Sequence, residues 1–284
     1  MNILSLFDGI SCGRLALERA EIPIDTYMAS EIDSFALKIA SKNYPDTIQV
    51  GNVVNIQSEY LPKIDLLIGG SPCQGFSIAG NKLAFDDPRS KLFFEFVKLK
   101  KELKPKFFLL ENVRMKKEWV DIISEHLEIE PILVNSNALS AQNRQRYYWT
   151  NIPNVGHPPS INTQTLGDIL ENNPPDNYNP GKALLEKHDG GDFLNPSYKG
   201  QSNRIHSLTE KAPTLCAGSK GYNYGFVRQE GRIRRLTPIE FERLQTLPDN
   251  YTEGVSDTQR YKACGNGWTV DILSHFFKNL KLAL

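Results

Sequence analysis

The sequence predicts an α/β protein whose first 150 or so residues form a mostly parallel sheet with helices on both faces. Strand-like apolar runs alternate with helix-like runs over this region, which is the pattern of repeated β–α units. Three of the apolar runs end in polar or glycine-rich residues. Because the carboxyl ends of parallel strands meet at one edge of a sheet, those residues are expected to share a ligand crevice.

The individual elements follow from apolar periodicity and flanking residues. The predicted strands are 2–6, 26–30, 65–68, 106–110, 132–134 and 147–150, and the predicted helices are 12–20, 33–43, 90–103 and 119–127. Residues 151–234 are rich in Pro, Asn, Gly and Ser, which predicts a small irregular domain. Thr237, Pro238 and Glu240 then indicate a capped helix start. A last apolar helix, 270–280, is expected to pack back onto the sheet domain.

Composition sets wide bounds on function. The 284 residues carry 33 Lys and Arg against 33 Asp and Glu, so the net charge indicates no partner. Between Lys199 and Arg235, however, the sequence has eight basic residues and only two acidic ones, Glu210 and Glu230. This stretch is either a phosphate-binding patch or a solvated loop, and charge alone favours the loop. The four cysteines form no CxxC pair, which predicts reduced thiols and no metal site. Without a signal peptide or a membrane-length apolar run, we expect a cytoplasmic protein.

The first strand runs into a glycine-containing turn, Asp8-Gly9-Ile10-Ser11-Cys12-Gly13. Such a turn lets the backbone approach a ligand, although many strand–helix turns carry glycines without binding one. Glu31 ends the second strand, 18 residues after Gly13, where a ribose-binding carboxylate is expected. Its alternative role is that of an exposed strand-end acid. No further phosphate signature follows, so a nucleoside cofactor fits better than a dinucleotide.

Two later strand ends carry a thiol and a carboxyl. Cys73 follows the third predicted strand and lies between Pro72 and a polar loop. A lone cysteine is usually a small buried apolar residue, but these surroundings favour a nucleophile. Glu111 ends the apolar run 107–110, so it is either an acid catalyst or a structural carboxyl bonded to backbone amides.

A polar segment, Gln142-Asn143-Arg144-Gln145-Arg146, precedes the last strand of this region. In an extended chain, alternate residues point the same way, so Arg144 and Arg146 are expected on one face. They would then point toward the active site or toward phosphates. An exposed charged turn is the alternative.

These motifs, in this order, resemble those of the DNA (cytosine-5)-methyltransferases. The resemblance rests on six matches and covers nearly everything outside residues 151–200. They are Phe7-Asp8-Gly9, Pro72-Cys73-Gln74, Glu111-Asn112-Val113, the Gln142/Arg144/Arg146 pattern, the segment 235–245, and Gly265-Asn266-Gly267. In one departure, Asn52 stands where the family usually has Asp.

The resemblance implies a class I S-adenosylmethionine-dependent methyltransferase fold, a Rossmann-like mixed sheet, with a small target-recognition domain. It divides the chain into a catalytic and cofactor-binding domain (1–150), a target-recognition domain (151–250) and a return to the catalytic domain (251–284). S-adenosylmethionine is the implied methyl donor, and duplex DNA the implied partner of an expected monomer. Trp268 and the opening Leu6-Phe7-Asp8-Gly9-Ile10 resemble the eukaryotic de novo branch, whereas the short recognition region resembles that of small prokaryotic or phage enzymes.

The resemblance also implies residue roles. Cys73 would add to cytosine C6, Glu111 would act at N3, and Arg144 would bind near O2. The implied cofactor residues are Phe7, Asp8, Gly9, Gly13, Glu31, Ile32, Asn52, Val53, Pro72, Leu92, Asn266 and Trp268. The implied DNA-binding residues are Gln74, Ser77, Arg146, Thr214, Lys220, Arg228 and Arg243. Two other functions stay open: a tRNA cytosine-5 methyltransferase and a catalytically silent DNA-binding relative.

Overall fold

The computed structural model describes residues 1–72, 91–160, 162–195, 197, 200–217 and 224–282. These form two compact units. The first comprises 1–135, 145–158 and the carboxyl-terminal segment from 270, and the second comprises 136–144 and 159–269. The division into functional domains at residues 150 and 250 stays a prediction.

A seven-stranded sheet forms the first unit, in the order β3-β2-β1-β4-β5-β7-β6. Its strands are β1 Asn2–Leu6, β2 Thr26–Ser30, β3 Ile48–Gln49, β4 Leu66–Gly69, β5 Phe107–Val113, β6 Ile132–Asn135 and β7 Gln145–Thr150. The pairs from β3 to β5 are parallel, and β7 pairs antiparallel with both β5 and β6. The mixed α/β sheet that the sequence predicts is therefore confirmed.

Helices cover both faces of this sheet. They are α1 Cys12–Arg19, α2 Ser34–Asn43, α3 Lys91–Leu103, α4 Lys117–Leu127 and α8 Val270–Phe277. On one face, Phe93 and Phe96 of α3 and Ile123 of α4 share a buried cluster with Leu67 of β4. On the other, α8 packs against α1, and Phe276 of α8 contacts the ring of Tyr148 with centroids 4.9 Å apart. The final helix thus packs on the sheet unit, as its apolar face predicts.

The second unit contains a three-stranded sheet, ordered β10-β9-β8. Its elements are α5 Lys182–Leu185, β8 Ile205–His206, β9 Phe226–Gln229, β10 Arg232–Arg234, α6 Pro238–Leu244 and α7 Asp257–Asn266. Helix α6 begins with the predicted capping box: Thr237 Oγ1 accepts from the Glu240 amide, and the Glu240 carboxylate accepts from the Thr237 amide. Across the described stretches of both units, no helix is long and apolar enough to span a membrane.

Candidate active site

The turn after β1 has an unusual backbone. Phe7, Gly9 and Ser11 all have φ near +60°, in the left-handed region that side chains disfavour. An added Cβ at Gly9 would meet no atom within 4 Å, so there is room for a side chain at this position. The positive φ is therefore what favours glycine there. Strained residues of this kind concentrate where the chain binds or reacts with a ligand. The Phe7–Ser11 turn is therefore a candidate binding element.

Asp8 holds this turn from inside. Its carboxylate is buried and accepts hydrogen bonds from Ser11 Oγ at 2.6 Å and from the Tyr27 hydroxyl at 2.7 Å. Burial raises the pKa of Asp8 above its usual value, while these hydrogen bonds act in the opposite direction. In this structure Asp8 shapes the turn through its neighbours. Tyr27, the second residue of β2, is a contributor that the sequence patterns did not indicate.

Glu31 joins the end of β2 to the same turn. Its Oε2 accepts from the Gly9 amide at 2.8 Å, and its Oε1 accepts from the amides of Ile32 and Asp33 at 2.7 and 2.8 Å. A carboxylate offers about four acceptor sites, so capacity remains for a ligand hydroxyl. The neighbouring Ile32 side chain is 71% exposed. A carboxylate beside an open apolar side chain suits a ribose and its attached base.

The other predicted cofactor residues of the first unit differ in burial and in hydrogen bonding. Asn52 caps a short 3-10 turn, with Oδ1 accepting from the Val54 amide at 3.3 Å, whereas Val53 is buried. Leu92 packs against the sheet core, and Gly13 is buried within α1. Pro72 is half-buried beyond the end of β4. Cys73, Gln74 and Ser77 lie outside the described residues.

Glu111 lies inside β5 and is paired. Arg146 of β7 approaches it, with Nε 2.9 Å from Oε1, and both side chains are only about one-tenth exposed. The strand pairing explains this contact, since Glu111 is opposite Tyr148 and Arg146 is opposite Val113. An ion pair of this length between two largely buried groups orients the carboxylate. One carboxylate oxygen is thereby fixed beside the carboxyl edge of the parallel strands.

Asn112 connects this strand to the segment before Cys73. It is buried, and its Nδ2 donates to Ser71 Oγ at 3.1 Å. Ser71 follows β4 and stands two residues before Cys73. The sequence patterns assigned no role to Asn112. A fully buried amide within an otherwise apolar strand is the signal that could have indicated one.

Arg144 has partners different from those of Arg146. It belongs to the second unit and is 3% exposed. Its guanidinium donates to the carbonyls of Leu215, Gly265 and Gly267, each at 3.0 Å. Arg144 precedes β7, which begins at Gln145, and the expectation that Arg144 and Arg146 share one face stays a prediction. The catalytic role of Arg144 itself stays a prediction.

The predicted DNA-binding residues of the second unit have local partners. Thr214 Oγ1 donates to the Asn143 carbonyl at 2.6 Å, and Arg243 is paired with Asp249 at 2.6 Å. Arg228 is exposed and donates to His188 Nε2 at 2.8 Å. Lys220 lies outside the described residues. Of the basic stretch, Arg234 is fully buried in an ion pair with Glu240, so it is not available to phosphates.

The motif near the end of the second unit ends helix α7. Asn266 is its last residue and is exposed, whereas the Trp268 side chain is buried. Within the described part of the chain, His, Cys, Asp and Glu side chains form no group that could hold a metal ion.

The fold and these strand-end residues are those of a class I S-adenosylmethionine-dependent methyltransferase. The Entamoeba histolytica methyltransferase EhMeth has the same fold, with a TM-score of 0.80 at 21% identity over 100% of this chain and 98% of that one. The S. pombe Dnmt2 methyltransferase gives a TM-score of 0.79 at 19% identity over the full length of both chains. These likenesses establish the fold.

The chain belongs to the C-5 cytosine-specific DNA methylase family, whose model matches residues 1–282. It is 34% identical to type II methyltransferase M1.ScrFI of Lactococcus lactis subsp. cremoris, over 95% of this chain and 75% of that protein. It is 32% identical to type II methyltransferase M.NlaX of Neisseria lactamica, over 100% of this chain and 97% of that protein. The family predicted from the order of the motifs is confirmed.

Proposed function

We propose that this protein transfers a methyl group from S-adenosylmethionine to C5 of cytosine in duplex DNA. The family match over residues 1–282 carries the proposal. The buried Glu111–Arg146 pair supports it by orienting an acid at the carboxyl edge of the sheet. Curated relatives named type II methyltransferases favour DNA over tRNA as the substrate.

The chemistry follows from the electronic structure of cytosine. C5 is a poor nucleophile until a thiolate adds to C6. The Cys73 thiolate forms a bond to C6 while the Glu111 carboxyl donates a hydrogen bond or its proton to N3, and the electrons of the C5–C6 double bond move toward C5. S-adenosylmethionine, when bound, supplies an electrophilic methyl group. Loss of the C5 proton then returns electrons to the ring and expels the Cys73 thiolate. Because C5 and C6 are shielded in a stacked duplex, the base must leave the stack first.

Arg146 and Asn112 would position the reacting groups. Arg146 fixes one oxygen of Glu111, so the carboxyl has a defined orientation toward the base. In place of Arg144, we assign to Arg146 the contact near cytosine O2, because the Arg146 guanidinium lies beside Glu111 whereas that of Arg144 donates to three backbone carbonyls. Asn112 anchors Ser71, which restricts where the chain enters the Cys73 segment.

The residues of the first unit fit a nucleoside methyl donor. Glu31 would accept hydrogen bonds from the ribose hydroxyls of S-adenosylmethionine, and the exposed Ile32 would contact its adenine base. Because Glu31 also holds the Gly9 amide, its loss should both remove a contact and loosen the turn.

Glu31→Ala should weaken S-adenosylmethionine binding by roughly 10- to 100-fold, the loss expected for about 1.5–3 kcal/mol of charged hydrogen bonding. Isothermal titration calorimetry would measure this change. Glu59→Ala removes an exposed carboxylate and should leave affinity unchanged. Equal affinity in the Glu31 and Glu59 variants would rule out this role for Glu31.

DNA binding through the basic stretch should depend steeply on salt. Each phosphate contact contributes about 0.9 to the slope of log affinity against log salt concentration. The described contacts of Arg228 are with an imidazole nitrogen and carbonyls, so we expect its charge to remain available. Arg228→Gln or Lys220→Gln should lower the slope by about one, and Lys117→Gln on α4 should not. Slopes that are equal in all four proteins would place the DNA elsewhere.

Methyl-transfer assays with tritiated donor on duplex DNA and on tRNA test the function itself. Incorporation into DNA alone is expected. Incorporation into tRNA alone would establish the alternative substrate, and none with either would indicate a silent relative. Bisulfite sequencing of DNA from cells expressing the protein would then identify the methylated sequence.

A further inference from the structure

Within the second unit, one buried guanidinium bridges two distant segments of the chain. Arg144 donates to the Leu215 carbonyl on one segment and to the Gly265 and Gly267 carbonyls on the other. All three distances are 3.0 Å, and the side chain is 3% exposed. The guanidinium is a rigid planar fork, so it fixes the spacing of its acceptors more tightly than an ammonium would.

A second contact brings the same two segments together without side chains. A Cβ added at Gly265 would lie 2.5 Å from the Cys216 carbonyl carbon and oxygen and from the Ala217 amide nitrogen. These are backbone atoms, which cannot move aside as a flexible side chain can. Gly265 is in α7, where glycine is a poor helix former, so the close approach accounts for its presence.

Two buried glutamines add hydrogen bonds to the two segments, Gln142 to the first and Gln245 to the second. Gln142 Oε1 accepts from the Leu215 amide at 2.9 Å, and Gln142 Nε2 donates to the Leu244 carbonyl at 3.0 Å. Gln245 Nε2 donates to the Cys264 carbonyl at 2.6 Å and to the Gly267 carbonyl at 3.1 Å. Both glutamine side chains are fully buried. The segments 214–217 and 264–267 are therefore joined as one rigid element.

We infer that Arg144 is a positioning residue that couples DNA binding to methyl-donor binding through this joined element. The inference rests on the proposed function and on two roles that the family resemblance implies, DNA binding for Thr214 and methyl-donor binding for Asn266. Thr214 directly precedes Leu215, and Asn266 stands between the two carbonyls that Arg144 holds on the other segment. Because the joined segments move together, a ligand that shifts one segment also shifts the other, and such coupling is reciprocal.

The coupling is measured with the unreactive probe S-adenosylhomocysteine and a duplex containing the methylated sequence. The affinity of each is determined with and without the other present, in the wild type and in three variants. In the wild type, each is expected to tighten binding of the other by the same factor, about fivefold or more. Arg144→Lys cannot hold both segments, and Gly265→Ala forces them apart. In both variants, the factor by which one ligand tightens binding of the other should fall close to one. The affinity of each ligand alone should stay within about threefold of the wild-type affinity.

Gly181→Ala is the matched control, since a Cβ there meets nothing within 4 Å and Gly181 has a φ of −61°. It should retain the wild-type factor. If Gly265→Ala fails to fold, as judged by thermal unfolding, Arg144→Lys decides alone. A wild-type factor of one, or an unchanged factor in Arg144→Lys, would overturn the inference. A wild-type protein that binds neither probe would instead overturn the proposed function.

Discussion

Cys73→Ala is expected to abolish methyl transfer, lowering kcat on the order of 10⁴-fold or more, the scale seen when a covalent nucleophile is removed. Alanine cannot add to C6, so C5 stays unreactive whatever else is bound. Single-turnover transfer from tritiated donor to the methylated duplex measures the loss. Duplex DNA affinity and the thermal unfolding temperature should stay close to those of the wild type, because the substitution removes a reacting atom and little surface.

Lost methyl transfer with unchanged DNA affinity and unfolding temperature would show that the variant lacks a reacting group and is still folded. Cys12 and Cys264 are buried, and Cys216 lies in the second unit, so none is expected to replace the missing thiol. Near-normal turnover by Cys73→Ala would exclude a covalent role for this residue.

Glu111→Gln is expected to lower the rate of methyl transfer by roughly 10²- to 10⁴-fold, the usual contribution of a positioned acid or base. Glutamine keeps the shape of the side chain, but it loses the charge that pairs with Arg146 and the carboxyl that acts at N3. Affinities for DNA and for the methyl donor should change little. Single-turnover rates at saturating concentrations of both substrates measure the effect.

Glu118→Gln provides the control for this substitution. Glu118 is an exposed carboxylate on α4 whose described ion pair is with Lys116, and its replacement should leave the rate unchanged. Equal rates for the two glutamine variants would remove Glu111 from the mechanism.

The sheet was predictable because its strands and helices carry strong local signals. The apolar runs at 2–6 and 26–30 match β1 and β2 residue for residue. Strand β5 continues through Glu111 and Asn112 to Val113, beyond the apolar run, because β7 pairs with it along this stretch. That extension depends on tertiary pairing, which local patterns do not contain. The two-residue strands β3 and β8 are too short to show any period.

The motifs of the candidate site could be predicted from the sequence, but the side-chain partners of their residues could not. Order and spacing identified Gly9, Glu31 and Glu111 as strand-end residues. They did not indicate that Arg146 rather than Arg144 pairs with Glu111, since both belong to one short polar run. Tyr27 and Asn112 act through residues far away in sequence. An amide within an apolar strand indicates that Asn112 has a partner, but a single sequence does not identify which residue the partner is.

The most direct test of the central claim is to trap the covalent intermediate. A duplex carrying 5-fluorocytosine at the methylated position is incubated with the wild-type protein and S-adenosylmethionine. Because fluorine cannot leave C5 as a proton does, the thiolate is not expelled and the adduct persists. We expect a stable protein–DNA complex whose attachment maps to Cys73 by peptide mass spectrometry, and none with Cys73→Ala. An adduct on another cysteine, or methyl transfer without any adduct, would contradict the account.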